Sequence, residues 1–245
     1  MKMKVEYDVA LSKNVRHLGR LDIPGGGQVV VQGDYVYVGH MKPPHGTSII
    51  DISDPAAPKV VAHIDPPEWS HTHKVRVAGD IMITNVEQDR RHFLRKGEKI
   101  PALRAAGKSD AEIAEALGVT LADIPDLDAA LERGYDGGGF RVWDISDKTA
   151  PKLLSYVKTH GFGTHRVVMD ENYAYISTEM EGYVGNILVI YDLADPSNPT
   201  EVSRWHMPGQ HVAQGETPTG VGYSHRLHHA MRVGDEFWAA VWHAG

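Results

Sequence analysis

The chain has 245 residues, a formal net charge of −7 and no cysteine, so disulfides and thiolate metal sites are excluded. The length allows one large domain or two small ones, and the acidic balance argues against a nucleic-acid partner, which needs clustered Lys and Arg. The start, MKMKVEYDVALSKNVRHLG, lacks the apolar core of a signal peptide, and no apolar run reaches membrane-spanning length, so we expect a cytoplasmic protein without a membrane contact.

Two kinds of sequence motif recur along the chain. The first is a pair of strands with alternating apolar and polar residues, joined by a tight polar turn, as in VVVQGDYVYVGH, VRVAGDIMITNVE, VVMDENYAYISTE and AMRVGDEFWAAVWH. The second is a strand that ends in Asp, a Pro-rich turn and another strand, as in IIDISDPAAPKVVAHI, RVWDISDKTAPKLLSYV and VIYDLADPSNPTEVSRW. Together they predict a unit of four short strands in roughly 45 residues, which is the blade of a β-propeller.

We therefore predict an all-β fold, a β-propeller of four-stranded blades, over residues 1–245. The blades are expected at about residues 25–66, 70–159, 162–208 and 222–245, and the last has only its first two strands. Residues 14–24, NVRHLGRLDIP, resemble the final strand of a blade and are predicted to close the ring. Because an open arc of blades exposes strand edges, we expect either a fragment that lacks C-terminal blades or a second chain that completes the propeller.

The phrases VWDISDKTAPKLL and IIDISDPAAPKVV resemble the repeats of the LVIVD-repeat proteins. The resemblance covers almost the whole chain outside one helical insertion. It implies a β-propeller fold and is nearly silent on activity, because one fold serves many functions.

Residues 89–136 interrupt the second blade and are predicted to be helical. Ser109 and Glu112 fit a capping box at the start of one helix, which Gly118 ends, and a second helix is expected from about Asp126. The insertion follows the second strand of its blade, so it should lie over one mouth of the central channel as a lid.

Three arginines at the start of this insertion are candidate contacts for an anionic substrate beneath the lid: Arg90, Arg91 and Arg95. The alternative for each is a solvated position on a charged helix face.

Histidine recurs at one position of the repeat. His73, His165 and His228 each stand seven residues before the hairpin turn of their blade, at the start of its first strand. Because first strands line the channel of a propeller, the three side chains are predicted to form a ring around its axis. Glu87 and Glu179 occupy equivalent places at the end of the second strand.

A ring of neutral imidazoles suits a divalent transition metal, which we expect to be Fe, Cu, Mn or Zn. The predicted ligands are His73, His165 and His228, and the additional candidates are His225 and His71. Glu87 and Glu179 are expected to orient the ligands or to act as a base. The architecture is similar to that of two propeller families, the methanethiol oxidases of the selenium-binding protein family and the carotenoid oxygenases, which hold copper and iron respectively. That likeness concerns architecture and transfers no catalytic residue.

Two functions follow from these patterns. The first is a metal-dependent oxidoreductase or oxygenase that acts on a small-molecule substrate at the histidine end of the channel. The alternative is a non-catalytic propeller scaffold for protein–protein interaction, in which each histidine only hydrogen-bonds a neighbouring blade.

Overall fold

The computed structural model describes residues 13–217 and 226–242. Its strands are β1 (Gly26–Gln32), β2 (Tyr35–His40), β3 (Thr47–Asp51), β4 (Lys59–Ile64), β5 (Ser70–His71), β6 (Val75–Ala78), β7 (Ile81–Gln88), β8 (Gly139–Asp144), β9 (Lys152–Lys158), β10 (Thr164–Met169), β11 (Tyr173–Glu179), β12 (Asn186–Asp192), β13 (Thr200–Trp205), β14 (Arg226–Val233) and β15 (Glu236–Trp242). Its α-helices are α1 (Arg91–Gly97), α2 (Ile100–Ala105), α3 (Asp110–Leu117) and α4 (Ile124–Arg133).

The strands form antiparallel sheets in chain order. The first blade has the order β1-β2-β3-β4 and the third the order β10-β11-β12-β13. In the second blade β7, β8 and β9 are neighbours in that order, and β5 and β6 both pair with β7 as an interrupted first strand. The hairpin β14-β15 begins a further blade. The predicted β-propeller of four-stranded blades is therefore confirmed.

The repeated Asp of each blade makes the turn between the third and fourth strands. Asp51, Asp144 and Asp192 each accept a hydrogen bond at Oδ1 from the backbone N–H two residues later, at 2.8, 2.8 and 2.7 Å. Such Asx turns reverse the chain without help from another strand. The recurrence of Asp at this position therefore reflects a local turn geometry that every complete blade needs.

The apolar core lies between adjacent blades, because alternate side chains of each strand face opposite neighbours. The first and second blades bury one cluster: Tyr37, Ile49, Ile64, Val75, Met82, Trp143 and Ile145. The second and third blades share a larger one, which includes Ile83, Phe140, Val142, Ile176 and Val189. The third blade packs on the β14-β15 hairpin through Tyr175, Leu188, Leu227, Ala230 and Val241.

Residues 14–24 form no strand in the structure, which differs from the predicted closing strand. The segment lies instead along the first blade, where a Cβ on Gly19 would come within 2.5 Å of the carbonyl oxygen of Pro55. Pro24 at its end accepts a hydrogen bond from His40 Nδ1 at 3.0 Å. A strand needs the backbone of a neighbouring strand, and the last blade is described only for β14 and β15, so closure of the ring remains a prediction.

The insertion is a small helical unit with its own core of Ile100, Ile113, Ile124 and Leu127, all fully buried. The predicted capping box is confirmed, since Glu112 accepts from the backbone N–H of Ser109 at 2.9 Å and Gly118 ends α3 with φ 59°. The structure adds α1 and α2, which the sequence analysis did not resolve. No helix within the described residues is long and apolar enough to cross a bilayer.

Candidate metal centre

The histidines of the repeat lie at β-bulges in the innermost strands. The pairing of β10 with β11 skips His165, and that of β14 with β15 skips His228. In the second blade, residues 72–74 interrupt the first strand between β5 and β6, and His73 lies in this break. An extra residue in one strand redirects its side chain away from the regular alternation. The recurring position found in the sequence is therefore a bulge next to the channel.

Glu87, at the end of β7, lies at the centre of a cluster of histidines. Its Oε2 atom is 2.9 Å from Nε2 of His71 and 3.9 Å from Nε2 of His73. All three residues are buried, and one ligand atom from each lies within 4.8 Å of the others. This His/Glu cluster can hold a metal ion.

Two further side chains contact the carboxylate of Glu87. His165 on β10 donates from Nδ1 to Oε1 at 3.1 Å, and Arg91 on α1 forms an ion pair with the same carboxylate, with Nε 3.0 Å from Oε1. With its proton on Nδ1, neutral His165 presents an unprotonated Nε2. Three elements from two blades and the insertion thus converge on one carboxylate that is only 1% exposed.

The electrostatics keep the cluster in the forms that metals bind. Burial alone would raise the pKa of Glu87, but hydrogen bonds from His165 and His71 and the charge of Arg91 hold it well below its usual range. Burial lowers the pKa of His73 to about 2 and also lowers that of His165. The carboxylate is therefore ionised and these imidazoles are neutral near pH 7, as metal ligation requires.

His71 carries a specific signature, because both of its ring nitrogens face acceptors. Nδ1 lies 3.1 Å from the carbonyl oxygen of Met41, and Nε2 lies 2.9 Å from the Glu87 carboxylate. A neutral imidazole has one N–H and cannot donate to both. Either the ring carries two protons or a cation stands between Nε2 and Glu87.

The other predicted ligands occupy different surroundings. The ring of His228 is 5.2 Å from that of His165, and its Nε2 lies 3.3 Å from the guanidinium of Arg166. His225 lies outside the described residues. The three-histidine ligand set therefore remains a prediction, and the donor atoms that the structure brings together belong to His71, His73 and Glu87.

Glu179 and the predicted substrate arginines are engaged within the protein. The carboxylate of Glu179 accepts from Arg95 and from the backbone N–H of Phe162, the latter at 2.9 Å, rather than lying behind the histidines. Arg90 stacks on Phe93, with its guanidinium carbon 4.4 Å from the ring centre. Arg91 and Arg95 pair with the carboxylates of Glu87 and Glu179, and a contact of the three arginines with an anionic substrate stays a prediction.

Comparison with known proteins identifies the repeat. The sequence model of the LVIVD repeat matches residues 26–65, 135–159 and 163–206. The chain belongs to the LVIVD-repeat family. No curated protein matches the sequence.

Two solved structures are similar to this LVIVD-repeat chain. One is the periplasmic gluconolactonase PpgL of Pseudomonas aeruginosa, with TM-score 0.47 and 10% identity, covering 85% of this chain and 47% of that one. The other is the N-terminal domain of Nup159, with TM-score 0.37 and 8% identity, covering 76% of this chain and 32% of that one. The chain thus spans about half the length of the first structure and a third of the second.

The cluster lies where the LVIVD repeat is interrupted. His71, His73, Glu87 and Arg91 all fall between matched residues 65 and 135, whereas His165 lies within a matched repeat. His73 and Glu87 nevertheless occupy positions that the third blade also fills with His165 and Glu179, whereas His71 and Arg91 occur only in the second blade among the described residues. The sequence analysis treated His71 only as an additional candidate, because it does not stand at the recurring histidine position. The usable signal was the His-Thr-His spacing next to a strand that ends in Glu.

Proposed function

We propose that this LVIVD-repeat propeller is a metal-dependent oxidoreductase, with a divalent transition metal held by His71, His73 and Glu87. The observation that carries the proposal is the pair of acceptors around His71. A metal ion on Nε2 would replace the second proton that the ring otherwise needs, and Nδ1–H would donate to Met41 as metal-bound histidines commonly do to a carbonyl.

The spacing of the donors supports the same ion. Metal–ligand bonds of about 2.1 Å place neighbouring ligand atoms roughly 3.0–3.4 Å apart. The two nitrogen-to-Oε2 distances of 2.9 and 3.9 Å bracket that range, so small side-chain movements bring the three atoms into one coordination sphere.

The type of donors favours iron(II) among the candidate metals. Two histidines and one carboxylate leave coordination positions open, and this set is typical of non-haem iron(II) oxygenases, whereas zinc in the same set serves hydrolysis. Within the chain, Arg91 and His165 orient Glu87, and His165 presents an unprotonated Nε2 toward the channel as a proton acceptor. The helix α1 is held at the ends of β7 and β11 by the ion pairs of Arg91 with Glu87 and of Arg95 with Glu179.

The proposal is tested by metal analysis of the purified full-length protein by mass spectrometry. About one equivalent of iron is expected in the native protein, and His73→Ala or His71→Ala should lose it. His165→Ala should retain a site that binds about 10–100-fold more weakly, because it removes only a hydrogen bond to a ligand. His228→Ala is the matched control, an equivalent bulge position outside the donor group, and should keep full metal content.

The activity class needs a second measurement. Iron(II)-loaded protein should consume oxygen with a subset of small organic substrates, and His73→Ala should not. A folded, metal-free protein that also fails to bind added iron, zinc, copper and manganese would refute the metal centre. In that case His71 is an imidazolium paired with Glu87, and the histidines serve to join the blades.

A further inference from the structure

Three cationic side chains crowd the channel wall beside the His/Glu cluster. Lys74 follows His73 directly, Arg76 lies two residues further along the same blade edge, and Arg166 follows His165 on β10, which packs against β6. The guanidinium of Arg166 lies 3.3 Å from Nε2 of His228 on the next hairpin, so it reaches into the space between the blades.

These cations lack anionic partners within the described part of the chain. Glu87 is already paired with His71, His165 and Arg91, and no described carboxylate forms an ion pair with Lys74, Arg76 or Arg166. Lys74 is only 8% exposed. The Nε atom of Arg166 is buried without a hydrogen-bond partner among the described residues.

The remaining neighbours do not supply negative charge either. Arg76 faces the carboxamide oxygen of Gln28 at 2.8 Å in the amide orientation that satisfies both groups. His228 and His229 complete this side of the channel, and Nε2 of His229 is buried with no partner among the described residues. A buried cation without a counter-charge is costly, so this concentration of charge is better explained by a ligand than by folding.

We propose that Lys74, Arg76 and Arg166 form a binding site for the oxyanion group of a small organic acid, a carboxylate or a phosphate. A guanidinium offers a planar pair of donors to such a group, and an ammonium adds a point charge. Lys74 and Arg166 each adjoin a histidine of the cluster in sequence, so an anion held here places the rest of the molecule beside the proposed metal. The inference names the substrate class and rests on the proposed function for calling that molecule a substrate.

Binding is tested by thermal unfolding of the metal-free full-length protein at constant ionic strength. Sulfate, phosphate or acetate replaces chloride in separate titrations, and the phosphate and acetate arms tell the two kinds of oxyanion apart. A saturating oxyanion at about 100 times its Kd should raise Tm by about 5 °C or more. A Tm that is the same in chloride as in sulfate, phosphate and acetate would indicate an adventitious ion only and would overturn the site.

Substitutions test which residues bind the oxyanion. Arg166→Gln and Lys74→Met should weaken oxyanion binding about tenfold or more, Arg166→Lys should recover part of it, and Arg232→Gln should leave it unchanged because Arg232 is an exposed partner of Asp170. Lys74→Met should also raise Tm in chloride, since it removes a buried unpaired charge. A lower Tm for that variant, or unchanged oxyanion binding in both variants, would contradict the proposal.

The same titration on metal-loaded protein separates the two proposals. If metal analysis finds no site and the oxyanion shift depends on Arg166, the metal proposal fails and the anion site stands. If the metal binds and no oxyanion shift occurs, only the present inference fails.

Discussion

Arg91 forms an ion pair with Glu87, with Nε 3.0 Å from Oε1, and the two side chains are 9% and 1% exposed. One helical turn later, Arg95 pairs with Glu179, the equivalent residue of the next blade. Arg91 and Arg95 stand four residues apart on α1, and this spacing lets one helix reach the equivalent strand ends at Glu87 and Glu179 on adjacent blades. The inserted helix is anchored to the repeat at the carboxylate around which the histidines gather, so the insertion is part of the site.

Arg91→Ala should destabilise the metal-free protein by about 3–5 kcal/mol, because it leaves the buried carboxylate of Glu87 without its charged partner. Added metal should recover part of this loss, since the ion supplies positive charge at the same oxygen atoms. Urea unfolding with and without metal measures both effects. Arg104→Ala is the control on the same insertion, where the pairs with Asp110 and Asp128 are exposed and screened by solvent, so the substitution should change stability little. An equal loss of unfolding free energy in the two variants would show that the buried Arg91–Glu87 pair stabilises the protein no more than an exposed pair does.

Local chemistry made the blades and one helix predictable from sequence. The Asp turn of each blade and the capping box of Ser109 and Glu112 are formed by residues within three positions of each other, so the sequence carries their full geometry. The recurrence of histidine identified the bulge position for the same reason, because each blade repeats the local backbone.

The arrangement of the site depends on contacts between distant segments. Glu87 meets His71 because the bulge at residues 72–74 changes the register between β5 and β6, and it meets Arg91 because α1 turns back over the blade edge. No spacing rule in the sequence gives the direction of α1. Residues 14–24 have no strand partner within the described part of the chain, and their role in closing the ring stays a prediction, since it depends on a neighbour far along the chain.

The position of His73 depends on a close approach between the first two blades. A Cβ on Gly39 would lie 2.6 Å from the carbonyl carbon of His73 and 2.7 Å from the carbonyl oxygen of Thr72. Gly39→Ala should therefore cost about 1–3 kcal/mol in urea unfolding and weaken metal binding, because the backbone at His73 must move. Gly25→Ala is the matched control, with open space around its Cβ, and should change stability by less than about 0.5 kcal/mol. If Gly39→Ala loses stability but keeps its metal affinity, the close approach of the two blades does not position His73 for the metal.

Acid should destabilise the metal-free protein in a defined pH window. Burial lowers the pKa of His73 from 6.5 to about 2 in the folded state, so below pH 6.5 the unfolded chain binds a proton that the folded chain excludes. The free energy of unfolding then falls with decreasing pH by up to about 1.4 kcal/mol per pH unit, and the loss ends near the folded-state pKa. Urea unfolding at about pH 7.5, 6 and 5 measures the slope. His73→Gln should flatten it, and an unchanged slope would assign the effect to other groups.

The proton on His73 yields the sharpest test of metal ligation. Asn85 accepts from the backbone N–H of Lys74 at 2.8 Å, and its Nδ2 donates to Thr164 at 2.9 Å and faces Nδ1 of His73 at 3.4 Å. Nδ1 therefore acts as the acceptor, and the proton of the neutral ring lies on Nε2. A metal that binds Nε2 must displace this proton to Nδ1. Asn85→Asp offers an acceptor for that displaced proton and should strengthen metal binding about tenfold, as carboxylates behind metal-bound histidines do.

Competition with a chelator of known affinity measures the change caused by Asn85→Asp. Thr84→Ser, on the same strand, is the control and should leave metal affinity within about twofold, because Thr84 contacts Trp143 rather than a ligand. If His73 does not bind the metal, Asn85→Asp should instead weaken the site or leave it unchanged, because the substitution only removes the hydrogen bond to Thr164. The direction of the change in affinity therefore decides whether Nε2 of His73 is a ligand.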